Sequence, residues 1–97
     1  MTEKAFKLSS PVATQGEGGT VTLTEITLRA PTARELFDFG IPFNENDMIA
    51  GPVLRDWIMR LSGRDGSVVD AMGLAETVQM ARWIGGFFKA AGTDAKN

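Results

Sequence analysis

The chain has 97 residues, with 10 Lys and Arg against 12 Asp and Glu, a formal charge of −2, and no His, Cys or Tyr. This excludes a disulfide framework, a thiolate zinc site and a cysteine nucleophile, and it removes the commonest general base and the commonest transition-metal ligand. The near-neutral balance makes no electrostatic case for nucleic acid, and 43% hydrophobic with 23% charged residues is the composition of an ordinary globular domain.

The length predicts one domain over residues 1–97 with one small core. Met1 to Phe6 lacks the apolar run of a signal peptide, and no stretch approaches the ~20 apolar residues that span a bilayer. The expected compartment is a reducing cytoplasm, with no membrane contact.

The first third reads as β, a hairpin over about 5–29. Phe6 and Leu8 alternate with Lys7 and Ser9, and Val21-Thr22-Leu23-Thr24 and Ile26-Thr27-Leu28-Arg29 each alternate. The apolar phase slips between Leu23 and Ile26. An inserted residue near Glu25, as in a β-bulge, or a short turn accounts for it equally well. Gln15 to Thr20, rich in glycine, predicts the hairpin loop. Pro11 suits a strand edge or end.

The helical part is expected over about 32–89. Thr32 with Glu35 three residues on forms a capping-box signature, followed by Leu36, Phe37 and Phe39, with Gly40 as the stop. Residues 41–51 read as a connecting loop. Pro52 suits a first helical position, and Val53, Leu54, Trp57, Ile58 and Leu61 then repeat at helical spacing up to Gly63. Ser67 is the expected cap of a further helix, with Asp70 in its first turn. Gly73 leaves two readings for 67–89, one bent helix or two short ones. The tail, 90–97, is small and polar and is expected to fray. The fold class is therefore α+β: an N-terminal antiparallel hairpin or small sheet followed by three to four helices. The helices cover one sheet face and leave a Thr-rich face to water.

Residues 74–88 carry excess apolar surface. On a helical wheel Leu74, Val78, Ala81 and Gly85 share one narrow arc, read as the core stripe, with Ile84 and Phe88 beside it. Met80, Trp83 and Phe87 extend the apolar arc to about 220°, where a surface helix needs little more than ~100°. Either the helix is buried on two sides, or part of it meets a partner. The expected partner-binding set is Trp83, Met80, Phe87, Ile84 and Trp57, because aromatic and Met side chains dominate interface cores. Trp83 has two open readings, packing on the hairpin or facing the partner. Phe88 and Trp57 lean towards core. Gly85-Gly86 fits close packing, a helix end before Phe87, or mobility, at roughly 1 kcal/mol each relative to Ala.

Other constellations carry little chemistry. Asp56, Asp65, Asp70 and Glu76 match neither an EF-hand nor a metal motif on one helical face. Ser9, Ser10, Ser62 and Ser67 have no His partner, and the glycines at 16, 18 and 19 do not precede a Gly-Lys-Ser/Thr phosphate cradle. Arg55, Arg60 and Arg64 form the densest basic stretch. Arg60 and Arg64 are expected to complement the C-terminal dipole of their helix. No enzyme activity and no cofactor is expected.

Ser9-Ser10-Pro11-Val12 after a first strand, a Gly-rich turn, and then Glu25-Ile26-Thr27-Leu28-Arg29-Ala30-Pro31-Thr32 leading into a helix resemble the tail assembly chaperones of contractile-tailed, Mu-like bacteriophages and prophages. The resemblance implies a binding protein that coats the helical tape-measure protein before the tail tube polymerises, and that is absent from the finished virion. It also implies a possible frameshift-extended second form. It brings no catalytic or ligand residues. The rival readings are a structural tail or baseplate subunit with a permanent oligomer interface, a small DNA-binding regulator using the Arg55–Arg64 helix, and an accessory subunit of an enzyme.

Overall fold

The computed structural model describes residues 3–40 and 51–96, with side chains through Lys89. The strands come first: β1 (Glu3–Gly16) and β2 (Gly19–Arg29) form a two-stranded antiparallel sheet. The helices follow as α1 (Ala33–Phe39), α2 (Gly51–Ser62), α3 (Gly66–Asp70) and α4 (Leu74–Lys96). The α+β expectation holds. The expected loop over 41–51 lies outside the described residues except for Gly51, which opens α2.

The hairpin turns through Glu17 and Gly18, with Gly16 paired to Gly19. Gly18 (φ 87°) and Gly19 (φ 126°) take backbone angles that side-chain-bearing residues avoid. The phase slip is also real. Lys7 pairs with Glu25, but the next pair is Val12 with Leu23. The excess residues lie on β1, at Leu8 to Pro11, and Thr24 alone lies opposite them. The irregularity is thus on the strand facing Glu25, where Pro11 could not have donated to a ladder. It lets Val12, Leu23, Phe6 and Ile26 all turn to the same core.

That core takes Phe6, Val12, Leu23, Ile26 and Leu28 from the sheet, Trp57, Ile58 and Leu61 from α2, Val68 and Val69 from α3, and Met80 and Ile84 from α4. The helix ends follow local chemistry. Gly40 (φ 80°) closes α1, its amide donating to Leu36 O at 2.8 Å. Gly63 (φ 72°) closes α2, donating to Met59 O at 3.0 Å. The cap of α3 is Asp65 and not Ser67. The Asp65 carboxylate accepts from Val68 N at 3.2 Å and from the Ser67 hydroxyl at 2.7 Å. Asp70 accordingly ends α3 instead of opening it.

Gly73 separates α3 from α4, which makes two helices of the stretch. A Cβ on Gly73 would collide with Ser9 Oγ and sit 3.0 Å from Glu76 Oε1, so this glycine allows α4 to start against β1. α4 runs on past residue 89 to Lys96. Gly85 and Gly86 lie inside it and do not end it before Phe87. A Cβ on Gly86 would meet open space, so close packing does not account for that glycine.

Candidate partner-binding surface

Two buried carboxylates fix the helices to the sheet. Glu35 at the third position of α1 accepts from Thr32 N at 2.8 Å and from the Thr32 hydroxyl at 2.9 Å, the returning half of a capping box. The same carboxylate takes two hydrogen bonds from the Arg29 guanidinium, at 3.1 and 2.9 Å, and one from Arg60 at 3.4 Å. The Arg29 fork outweighs the cost of burial and holds the Glu35 carboxyl at about 2, against an ordinary 4.5.

Glu76 holds the corresponding position on α4. It accepts from Gly73 N at 2.6 Å and from Ser9 N and Ser9 Oγ at 3.3 Å each. Burial pushes its pKa up, but the amides of Gly73, Glu76 and Ser9 win, so it lies below the ordinary range. Glu76, which interrupts the apolar arc in the sequence, is therefore a buried joint between α4 and β1.

Arg29, Arg34, Arg55 and Arg60 pair with carboxylates. Arg55 grips Asp70 through two bonds of 2.7 and 3.0 Å, tying α2 to α3. Arg60 stands in the last turn of α2, as expected for a residue that complements the helix dipole, and it also makes tertiary contacts. It reaches Asp38 at 2.8 Å and lies over the Phe39 ring at 4.8 Å, tying α2 to α1. Arg34 also reaches Asp38, at 3.2 Å. Both arginines of α2, Arg55 and Arg60, are thus paired with carboxylates. Among the described residues, no cluster of three acidic side chains could hold a metal ion.

The five residues of the expected partner set separate. Met80 and Ile84 are fully buried, and so is Trp57, which packs edge-on to Phe88 at 5.3 Å and beside Phe39 at 5.7 Å. These three belong to the core and are withdrawn from the surface. The reason is rotational: Gly73 and Glu76 set the start of α4 so that Glu76, Met80 and Ile84 face the sheet. Trp83 is half-buried, packed edge-on against Phe6 at 5.8 Å and Phe87 at 4.8 Å. Phe87 remains exposed, at 38%.

The same rotation overturns the expected core stripe. Leu74 is 79% exposed and Val78 38%, while Ala81 and Gly85 are half-buried. These four residues are spaced four, three and four apart, and Phe88 follows after three. That is the alternation of a coiled-coil seam. The surplus of apolar surface on α4 is real. It lies on the flank that the wheel assigns to the core, and small residues at its middle permit close approach of another backbone.

A family model described as phage tail assembly chaperone proteins E, 41 or 14 matches residues 5–89, most of the chain. The chain belongs to that family. No curated protein and no solved structure matches it. The phrases that carry the likeness are the joints of this chaperone. Ser9 holds Glu76, and Arg29 with Thr32 holds Glu35. The distinctive residues build the scaffold, and the uncovered seam lies elsewhere. Among the described residues, no helix is long and apolar enough to cross a membrane.

Proposed function

We propose that this chaperone binds the phage tape-measure protein through α4 and keeps it from aggregating until the tail tube polymerises. The observation that carries the reading is the seam of Leu74, Val78, Ala81 and Gly85, left in contact with water on a helix whose other side is core. Such a seam fits an amphipathic helix laid alongside it, the helix-in-groove mode of recognition. The exposed edge at Phe87, with Trp83 behind it, flanks the buried stripe on its other side and extends the contact. The work is done by binding and not by bond chemistry. It takes place in the cytoplasm of the bacterial host, with release before the particle is complete. A frameshift-extended form is part of the same reading, as the family resemblance implies.

Co-expression with the neighbouring tape-measure gene tests it. The wild-type chain should bring the tape measure into the soluble fraction and co-purify with it. Leu74→Ser with Val78→Ser should abolish this with an unchanged circular dichroism spectrum, and Phe87→Ser should weaken it. A seam variant that still solubilises the tape measure moves the grip off this flank.

A further inference from the structure

A two-stranded sheet leaves an outer edge on each strand, and such edges are usually blunted by charge, proline or a bulge. The β1 edge is broken by Pro11 and by the register shift between Lys7 and Val12. The β2 edge is not. From Gly19 to Leu23 it pairs with β1 residue for residue, and from Gly19 to Thr24 it holds no charge and no proline. Thr20, Val21, Thr22 and Thr24 are all β-branched, which favours strand pairing.

This part of the hairpin also stands clear of the helices. Residues 13–22 are exposed except for the half-buried Thr14, and Val21 is 42% exposed. The helical body packs against the other end of β2, at Ile26 and Leu28.

We propose that the β2 edge pairs antiparallel with the β2 edge of a second copy of this chain, about a two-fold axis at Thr22, to make a four-stranded sheet. The segment is self-complementary in that register. Thr22 faces Thr22 of the second copy, and Thr20 faces Thr24. Val21 faces Leu23 on the opposite side of the sheet, which covers the exposed Val21. No like charges meet, since Glu25 falls opposite Gly19. The two helical bodies lie at opposite ends, and a point-group dimer closes without leaving this edge open. The contact stands independently of the tape-measure reading.

The absence of cysteine makes the register directly testable. The full chain should sediment at twice its 10.5 kDa. Thr22→Lys sets like charges face to face and should return it to one chain's mass with an unchanged circular dichroism spectrum. Directly opposed Cβ atoms are about 4.5–5.5 Å apart, close to what a disulfide spans. With an added oxidant, Thr22→Cys should therefore cross-link to itself. Thr20→Cys should not, but a mixture of Thr20→Cys with Thr24→Cys should. A full chain that stays at single mass at every concentration overturns the proposal, and so does a Thr22→Lys variant that remains dimeric. Equal self-cross-linking at positions 20 and 22 does the same. If the edge instead accepts an extended segment of another protein, the chain alone stays single and Thr22→Cys does not cross-link.

Discussion

Acidification should act on Glu35 as the pH falls below the ordinary carboxylate range. Its folded pKa is depressed from 4.5 to about 2, so its contribution is present in full above the unfolded value and is lost as pH falls from about 5 towards 2. A shift of that size corresponds to about 3 kcal/mol, less what the half-exposed Arg29 loses to solvent screening. Urea midpoints across that range should fall steeply for the wild type. In Glu35→Gln they should start lower and fall less. Gly73 makes a second residue-scale prediction. Gly73→Ala should cost about 1–3 kcal/mol by overpacking against Ser9 and the Glu76 carboxylate. Ser9→Gly should recover part of that loss, and a double-mutant cycle on thermal midpoints would show the coupling.

At the scale of elements, α4 has three sides with different costs. Met80→Ala opens a cavity in the core and should cost about 2–5 kcal/mol. Leu74→Ser with Val78→Ser removes side chains from water and should cost less than about 0.5 kcal/mol through helix propensity, since Ser and Val rank together. Gly86→Ala should stabilise the helix by about 1 kcal/mol, since its Cβ would meet nothing. Denaturant titration of the three variants separates these outcomes. The same helix shows how far the sequence could be read. The strands, the phase slip, the Thr32–Glu35 cap and the glycine stops at Gly40 and Gly63 are local signals, and they were legible. The rotation of α4 was not. An apolar arc of about 220° has no unique inward side. What chose the side was Glu76, a residue that looks like a surface break until Ser9, distant in sequence, and Gly73, close by, are seen to donate to its Oε2. Asp65 displaced Ser67 as the cap of α3 because a carboxylate two residues earlier could reach both Val68 N and the Ser67 hydroxyl.

At the scale of the molecule, the sheet is joined to its helices at two charged points, Arg29–Glu35 from β2 and Ser9–Glu76 from β1. Both carboxylates have lowered pKa values, so both joints weaken in acid. The expected acid state keeps helical far-ultraviolet dichroism but loses the near-ultraviolet signal of the packed Trp57. Coincident loss of both signals would show that the two joints do not fail ahead of the core.

The two tryptophans differ in a way that experiment can use. Trp57 is sealed among aromatic rings and Trp83 is only half covered, beside Phe87. A soluble quencher such as acrylamide should therefore dim the emission of one indole and leave the other bright. Loss of the bright fraction reports unfolding, whereas shielding of the dim one reports occupancy of the Phe87 edge. A single unlabelled sample thus carries separate optical readouts for integrity and for engagement.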